Sequence, residues 1–560
     1  MNEYGPIATQ AHRHYEPGVP FDIPTPDASI FDLLEHTAHA YPDVIALDYF
    51  GQTMTYHQVY THSLKAAEVL SACGVSRGDV ISLALPNCPQ HFIAFYGAMR
   101  IGAVVAELNP LAPKAQLESQ VRRHKGAYAI MWDKVAYKLA DVIDEHNILT
   151  VNLIHNMPLK MRFSLKLPVD KAKKSRHKLT GLPPRGSRSW DRLVKDAHPI
   201  SRLAEGAQGS DNAVILHSSG TNGIPKSVPL THANVRANVN QNLFWVYELD
   251  RGAETFYSLL PYFHAFGMTF FLCCSVAIGA TQIVLPTFDV DLALEAHMRR
   301  KVTFFVGVSP MFDRIAKAAV EKNIDITSIK YSISGGMALS KEISSLWEEV
   351  TGHYIIEGYG MSETAPTVCG SPLSAHRRHE CLGLPFPSTD VRIVNVDNPY
   401  EDVEDGQTGE LLIKGPQVFH GYLDDEEENK NAFIDGWFRT GDICRNDDGF
   451  LYLVDRSKDV IICSGFNVFP SQVEEAIKEH VKVKDCVVVG LPDVEKGEIV
   501  VAVVVPESKK IHLEHVRSQL ECVLPHYALP RELVIVDGIP HSLIGKPERK
   551  KVRDSLLAER

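Results

Sequence analysis

Cysteine is sparse in this chain, which has ten cysteines among 560 residues. Only Cys273 and Cys274 lie close together, and no pair has the C-x-x-C spacing that is typical of structural zinc sites. A disulfide framework and a structural zinc site are therefore not expected. The cysteines are instead typical of free, buried thiols in a reducing compartment.

Long apolar runs and targeting signals are also missing. The longest run, residues 268–280, contains Thr269 and Ser275 and falls about five residues short of a membrane span of roughly 20 residues. The first residues lack the basic segment followed by an apolar segment that a secretory signal requires. The sequence therefore predicts a cytoplasmic protein.

Positive charge is concentrated in one short segment of an otherwise acidic chain. The net charge is -12, which argues against general binding of nucleic acid, since neutralisation of phosphates dominates that affinity. Between Leu159 and Arg188, however, ten basic residues are opposed by Asp170 alone, which gives this segment a charge of +9. Prolines at 158, 168, 183 and 184 indicate that residues 157–188 form an insertion.

Apolar residues alternate with polar or basic ones at the start of this basic insertion. The pattern predicts an edge strand or an interfacial segment, and it is carried by Leu159, Met161, Phe163, Leu165 and Leu167. Two interpretations of the insertion stay open. It is either a solvated charged loop or a peripheral contact with an anionic membrane, because each basic residue near such a surface contributes about 1 kcal/mol.

The overall composition is that of a globular protein, with 45% hydrophobic and 22% charged residues, and the length predicts about three to five folding units. Apolar strand patterns at 80–85 and 103–108 flank a helical pattern around Phe92 to Met99, which indicates a crossover unit in a parallel sheet. The same succession of strand and helix patterns recurs along the chain. We predict an α/β fold, with a large N-terminal domain of stacked α/β subdomains over residues 1–455 and a small α/β domain over 456–560.

The most informative motif is the segment from Ser218 to Ser227, which follows a predicted buried strand and reads SSGTNGIPKS. Its glycines let backbone N–H groups approach phosphate oxygens, its hydroxyls donate hydrogen bonds, and Lys226 supplies positive charge. The spacing is not that of a Walker loop. The segment therefore predicts a different kind of triphosphate site.

Four further motifs point to the same ligand. Gly335 and Gly336 form a tight turn after a predicted strand, and Glu363 follows a second glycine-containing turn, where a carboxylate can bind Mg²⁺ together with phosphate oxygens. Asp442 follows a glycine in a position suited to ribose hydroxyls. Lys546 lies on a glycine turn near the end of the chain.

In this order the motifs resemble the signatures of the adenylate-forming superfamily, which includes acyl- and aryl-CoA synthetases, firefly luciferase and peptide-synthetase adenylation domains. The resemblance extends from about Phe31 to Arg553. It implies that the C-terminal domain is a mobile lid with its hinge at Lys458. It also implies two half-reactions, in which a carboxylate and Mg·ATP give acyl-AMP and pyrophosphate, and a thiol, usually that of coenzyme A, then displaces AMP.

The resemblance also implies roles for individual residues. The phosphates would be held by Ser218, Ser219, Gly220, Thr221, Asn222, Gly223 and Lys226. The adenine would be lined by Gly335, Gly336, Met337, Glu357, Gly358, Tyr359, Gly360 and Met361, with Ser362 on the α-phosphate and Asp442 and Arg456 on the ribose. Mg²⁺ would be bound by Glu363 and Thr221, and the thiol tunnel would be lined by Ser464, Gly465 and Phe466. The resemblance makes Lys546 the residue that neutralises the reacting oxygens during adenylation.

Four positions depart from the pattern of the superfamily. Asn222 replaces a threonine, Ser227 a glycine and Glu357 a glutamine, changes that keep small size or polarity. Pro547 restricts Lys546 to an extended backbone, which affects how far the lysine reaches.

The prediction of the carboxylic acid substrate rests on the segment around His264 and on nearby apolar residues. His264 lies in an aromatic segment that matches the border of the carboxylate site, so Lys226, His264, Glu363 and Lys546 are the expected catalytic residues. Apolar residues at 269–272 and 303–308 would wall an acyl tunnel or would only pack in the core. With no aspartate in these segments to pair an α-amine, we expect a bulky apolar acid, and the chain resembles bacterial medium- or long-chain fatty acid–CoA ligases most.

Several alternatives stay open at this point. The acid could be aryl, or the acyl group could be transferred to a carrier protein instead of coenzyme A. A non-catalytic nucleotide- or lipid-binding protein is the remote alternative. A homodimer is compatible with the sequence.

Overall fold

The computed structural model describes residues 4–25, 27–201, 206–218, 226–456, 459–463, 466–493, 497–507, 511–521, 523–541 and 547–560. The chain forms two compact units. The larger comprises Ala11–Asp390 and Lys414–Ala432, and the smaller comprises Met1–Gln10, Val391–Ile413 and Phe433–Arg560. The predicted hinge at Lys458 lies outside the described residues, and the predicted domain boundary at 455/456 stays a prediction.

Two largely parallel sheets organise the larger unit, which confirms the predicted α/β class. From edge to edge, the nine-stranded sheet consists of Leu384–Pro385, Thr367–Gly370, Ile355–Gly360, Tyr331–Gly335, Phe304–Gly307, Thr255–Ser258, Thr281–Val284, Ile45–Tyr49 and Gln52–Thr55. The seven-stranded sheet consists of Arg188–Ser189, Ile148–Val151, Tyr128–Trp132, Val80–Ala84, Val104–Glu107, Asn212–Ser218 and Lys226–Thr231. Antiparallel pairs occur only at the sheet edges within the described strands.

The helices of the larger unit follow the predicted crossover pattern. The strand Val80–Ala84 runs parallel to Val104–Glu107, and the helix Pro89–Arg100 connects them. Capping boxes at Thr55 and Thr231 begin two of the longer helices by satisfying their first backbone N–H groups. The α-helices are Phe31–Ala40, Tyr56–Ala72, Pro89–Arg100, Lys114–His124, Leu159–Ser164, Asp170–Leu179, Trp190–Asp196, His232–Trp245, Ala265–Gly267, Ser275–Ala277, Val290–Arg299, Ser309–Glu321, Lys341–Thr351 and Glu426–Ala432.

The basic insertion is helical, so the prediction of an edge strand is wrong. Residues Leu159–Ser164 and Asp170–Leu179 form two short helices. Asp170 lies in the first turn of the second helix and Arg176 and Lys178 in its last turn, where each charge is favourable to the helix dipole. The alternation of apolar and basic residues at 159–167 did not determine the backbone pairing, because a strand also needs hydrogen-bonding partners on a neighbouring strand.

The smaller unit contains two five-stranded sheets. One has the strands Asp390–Val394, Thr408–Lys414, Phe433–Ile434, Trp437–Asp447 and Phe450–Arg456. The other has Ile461–Cys463, Phe466–Val468, Val483–Asp493, Gly497–Pro506 and Glu532–Ile535, and the α-helices are Pro470–His480, Leu513–Leu520 and Arg549–Ala558. The helix Pro6–His12 begins the described chain.

Alternating side chains of one strand build two cores in this smaller unit. Cys486 and Val488 face the helix residues Val473 and Ile477, whereas the intervening residue Val487 packs in a second cluster that includes Val552. This follows from the two-residue period of a strand. The described cysteines are all free, and all but Cys73 are buried, as predicted. Within the described ranges, no helix combines the length and apolar character needed to cross a bilayer.

Candidate active site

Two glycine-containing turns lie side by side at the carboxyl ends of adjacent parallel strands. Gly335 and Gly358 are direct partners across the strands Tyr331–Gly335 and Ile355–Gly360. A Cβ atom on Gly335 would lie 2.9 Å from the Phe266 ring, and one on Gly360 would lie 1.8 Å from the Pro366 carbonyl oxygen. Carboxyl ends of parallel strands are the usual ligand site of open α/β sheets. The structure therefore brings together the two segments that were predicted separately to line the adenine.

The Glu357 carboxylate connects the loops beside this edge. Its Oε1 accepts a hydrogen bond from the Glu380 backbone N–H at 3.0 Å, and its Oε2 accepts one from the Leu339 N–H at 3.4 Å. Burial raises the pKa of Glu357 to about 7, although the backbone N–H donors favour the ionised form. The side chain therefore holds the turn after Gly336 in place. Its predicted contact with adenine stays a prediction.

His264 lies on the turn that touches Gly335. It begins the short helix Ala265–Gly267, and its Nδ1 accepts a hydrogen bond from the Phe266 N–H at 3.3 Å. The imidazole is exposed, while the Phe266 ring packs edge-on against Phe270, with ring centroids 5.3 Å apart. The histidine segment predicted to border the carboxylate site is thus adjacent to the turn predicted to bind adenine.

The apolar segments proposed as tunnel walls are buried, and their aromatic rings fill the core. Residues Met268–Cys274 form a wholly buried π-helix, in which Thr269 Oγ1 donates to the Ala365 carbonyl at 2.8 Å. The Phe304 ring stacks on Phe256 with centroids 4.2 Å apart, and the Phe305 ring contacts Trp347 at 5.6 Å. At Phe304 and Phe305 the structure therefore favours core packing.

Tyr422 joins the two charged residues predicted to bind the phosphates and the metal. Its hydroxyl donates to Glu363 Oε1 at 3.0 Å, and the Lys226 Nζ lies 4.7 Å from the centroid of its ring. Burial and the neighbouring Glu363 raise the pKa of Tyr422, so the hydroxyl stays protonated and acts as the donor. Glu363 itself is only 7% exposed. Lys226 and Glu363 are far apart in sequence, but both contact the side chain of Tyr422.

The segment that carries Tyr422 is held to the same strands by its backbone. The Phe419 N–H donates to the Glu363 carbonyl at 2.9 Å, and the Leu423 N–H donates to the Ser227 carbonyl at 3.0 Å. Glu428, in the following helix Glu426–Ala432, forms an ion pair with Lys226. The lysine therefore has a carboxylate partner that an incoming phosphate would have to share or displace.

The two ends of the predicted phosphate loop are paired with each other. Ser218 ends the strand Asn212–Ser218, Lys226 begins the strand Lys226–Thr231, and the two residues are antiparallel partners. Of Ser218 only the backbone is described. The loop residues predicted to bind phosphates and metal lie outside the described residues, namely Ser219, Gly220, Thr221, Asn222 and Gly223.

A single buried carboxylate could hold a magnesium ion here only with help from other oxygen ligands. The described residues contain no cluster of three or more histidine, cysteine or acidic side chains arranged to bind a metal. Mg²⁺ commonly takes one or two carboxylates and completes its octahedron with waters and phosphate oxygens. The Glu363 carboxylate fits that role in a nucleotide site.

The predicted ribose residues occupy the smaller unit. Asp442 and Arg456 are antiparallel partners on the strands Trp437–Asp447 and Phe450–Arg456, and their contacts with ribose stay a prediction. Asp442 is buried, and its backbone N–H donates to Thr440 Oγ1 at 3.0 Å, after Gly441 with a φ of +68°. Only the backbone of Arg456 is described, and the same holds for Phe466, which begins the strand Phe466–Val468.

The remaining predicted site residues lie outside the described ranges. They are Lys458, Ser464, Gly465 and Lys546. Sequence reasoning in turn missed Tyr422 and Glu428. The Tyr422–Glu363 hydrogen bond joins residues 59 positions apart, and no local pattern around Tyr422 marks it as a partner of an acid.

Replacement of Glu357 by glutamine should change how stability depends on pH. Because the folded-state pKa of about 7 lies above the ordinary value of 4.5, folded Glu357 binds more protons than unfolded Glu357 between these values. The free energy of unfolding of the wild type should therefore fall relative to E357Q as pH rises from about 4.5 to about 7, by roughly 1–3 kcal/mol, and the difference should be constant above about pH 8. Denaturant unfolding at several pH values measures this difference. A pH-independent difference, or the same trend in the exposed control E349Q, would contradict the assignment.

Comparison with known proteins identifies the family. The family model for AMP-binding enzymes matches residues 34–423, and the model for the AMP-binding enzyme C-terminal domain matches residues 472–546. The chain is 31% identical to a long-chain-fatty-acid–CoA ligase from Bacillus subtilis over 558 residues, with 96% of each chain covered.

Solved structures agree on the fold. ATP-bound MatB from Rhodopseudomonas palustris superposes with a TM-score of 0.77 at 23% identity, covering 94% of this chain and 99% of that one. The o-succinylbenzoate CoA synthetase of Bacillus subtilis, in complex with an acyl-adenylate, gives a TM-score of 0.76 at the same identity and coverage. The family-model matches over residues 34–423 and 472–546, together with the Bacillus subtilis relative, show that the chain belongs to the AMP-binding enzyme family.

Proposed function

We propose that this protein activates a carboxylic acid with Mg·ATP to give acyl-AMP and pyrophosphate, and then transfers the acyl group to coenzyme A, releasing AMP. The observation that carries the proposal is the convergence of Lys226 and Glu363 on Tyr422. One residue supplies positive charge for phosphate oxygens and the other a carboxylate for a cation. In-line displacement at phosphorus depends mainly on such positioning and charge neutralisation.

Each residue of the proposed site then has a definable task. Lys226, only 15% exposed at its side chain, would exchange its Glu428 partner for phosphate oxygens. Glu363 would hold Mg²⁺, which when bound neutralises charge on the phosphates. Tyr422 is a positioning residue, because its hydroxyl donates a hydrogen bond to Oε1 of Glu363 and so holds the carboxylate in place. Lys546 would neutralise the acid oxygen and the α-phosphate, and His264 would border the carboxylate.

The acid is proposed to be a medium- or long-chain fatty acid. This rests on the name of the Bacillus subtilis relative, which covers 96% of the chain, and on the apolar segments around residues 269–272. An aryl acid is the second candidate, because a synthetase named for o-succinylbenzoate has the same fold over 94% of the chain. A carrier protein is the alternative acceptor.

Pyrophosphate release with Mg·ATP across a panel of acids tests this function. The panel runs from acetate through octanoate, laurate, palmitate and stearate to cinnamate and o-succinylbenzoate, each with coenzyme A, with a loaded carrier protein, or with neither. We expect turnover to be highest on laurate to stearate and to require coenzyme A. A maximum on an aryl or short acid would contradict the fatty acid, and no release with any acid would contradict the enzyme.

Replacement of Tyr422 by phenylalanine should raise the magnesium requirement. The buried Glu363 loses its hydroxyl donor, which costs about 1–3 kcal/mol, and its carboxylate is no longer oriented. We expect the Mg²⁺ concentration for half-maximal pyrophosphate release to rise about fivefold or more, with little change in the KM for the acid. The exposed tyrosine control Y137F should behave as wild type. An unchanged magnesium curve for Y422F would remove Tyr422 and Glu363 from the metal site.

Replacement of Lys546 by alanine should separate the half-reactions. Its charge is needed only while the acid attacks the α-phosphorus, so K546A should lose acyl-AMP formation by about 100-fold or more. Thioester formation from supplied acyl-AMP should fall by less than about threefold. The matched control is K550A, four residues along the chain. Equal losses in both half-reactions would contradict the role given to Lys546.

A further inference from the structure

The basic insertion exposes apolar side chains that a monomer in water would ordinarily bury. On the first helix, Leu159–Ser164, the side chains of Leu159 and Phe163 are 64% and 67% exposed, and after the second helix Leu182 is 93% exposed. Leu159 and Phe163 are four residues apart and therefore share one helix face. Leu167 and Val169, between the helices, are more than half exposed as well. We call these five apolar residues and the lysines beside them the basic–apolar face.

The opposite sides of the two helices are attached to the larger unit, so this exposure does not reflect a loose chain. Leu165 and Ala172 are buried. Arg176 Nη1 donates to the Leu165 carbonyl at 3.0 Å and thereby connects the two helices. The Trp132 indole N–H donates to the Leu179 carbonyl at 2.8 Å, and the Gly181 N–H donates to Asp133 Oδ1 at 3.1 Å. These contacts attach the buried side of the two helices to the larger unit and leave the basic–apolar face exposed to solvent.

The charge on this face is almost entirely positive. Lys171, Lys173 and Lys174 are exposed on the second helix, and Asp170, which lies 3.7 Å from the Lys173 amine, is its only acidic residue. Exposed lysines beside exposed leucine and phenylalanine are typical of segments that lie at the interface of an anionic bilayer. Nucleic acid complements the charge but offers no apolar medium for five apolar side chains.

A cleft of about 260 Å³ opens beside the first helix. Like the basic–apolar face, its lining combines a basic and an apolar side chain of the insertion. Leu159 and Arg162 line it on the insertion side, and His155 lies next to them. The His155 Nδ1 is 3.0 Å from Asp191 Oδ2, and this carboxylate raises the pKa of His155. The cleft therefore places the Arg162 guanidinium beside the apolar Leu159 side chain, a combination that suits a phosphodiester headgroup with its acyl chains.

We propose that the basic–apolar face docks on an anionic lipid bilayer. Leu159, Phe163 and Leu182 enter the interface between headgroups and acyl chains. Lys171, Lys173 and Lys174 contact the headgroup phosphates, and the cleft beside Arg162 accepts one headgroup. The proposal concerns a surface of the larger unit and holds whichever acid the protein activates.

Cosedimentation of the full-length protein with vesicles tests the electrostatic part. We expect partitioning onto vesicles of three parts phosphatidylcholine to one part phosphatidylglycerol to exceed that onto pure phosphatidylcholine by about tenfold or more. The difference should shrink as salt is raised above about 0.1 M, where the Debye length falls below about 10 Å. K171Q/K173Q/K174Q should bind the anionic vesicles about tenfold more weakly. The control K301Q/K330Q/K341Q, which removes three exposed lysines elsewhere, should bind as wild type.

A second pair of variants tests the apolar part. L159S/F163S should weaken vesicle binding even at high salt, where the lysines contribute little, whereas M298S/V320S removes two comparably exposed apolar side chains elsewhere and should have no effect. Circular dichroism of each variant verifies its fold, and the surface lysine variants keep the test valid if L159S/F163S unfolds. Equal binding to both kinds of vesicle, wild-type binding by the lysine triple variant, or binding to neither vesicle would overturn the proposal. So would a dimer that L159S/F163S dissociates without any change in vesicle binding.

Discussion

A buried carboxylate needs a hydrogen-bond donor, and in this protein Tyr422 supplies one to Glu363. Burying an ionised group without a partner costs several kcal/mol, so this bond constrains where the segment Lys414–Ala432 can lie within the larger unit. The same segment donates backbone hydrogen bonds to the carbonyls of Glu363 and Ser227. It thereby fixes the position of Lys226 next to the Tyr422 ring. The charged part of the candidate site is therefore built by one tyrosine and the loop that presents it.

A second constraint on the candidate site is the close packing around two glycines at the carboxyl ends of the parallel strands. Gly335 leaves room for the Phe266 ring, and Gly360 leaves room for the Pro366 carbonyl. No larger residue could occupy Gly360 without moving the backbone. Glu357 then uses its carboxylate to hold the neighbouring loops through backbone N–H groups. Small residues and the Glu357 carboxylate thus shape the loops at the place where ligands of open α/β sheets bind.

The basic insertion shows a different relation between sequence and structure. Its charge and its prolines marked it as distinct from the flanking α/β pattern, and that much was readable from composition. The alternation of apolar and basic residues suggested a strand, but the segment folds as two helices whose inward face is limited to a few residues such as Leu165 and Ala172. Local alternation does not by itself specify a strand, because a strand also needs backbone hydrogen-bonding partners on a neighbouring strand.

The sequence by itself determined the α/β class and the crossover units, because hydrophobic periodicity is a local property, and the order of its motifs indicated the family. The resemblance to that family also associated Asp442 with Arg456, which the structure pairs across two strands. Only the tertiary structure decided that Lys226 and Glu363 meet at Tyr422, that Phe304 and Phe305 pack in the core, and that the apolar side chains of the insertion point outward. Those outcomes depend on contacts between residues far apart in the chain, and the free energy of such contacts is set by burial and by partners that no short stretch of sequence contains.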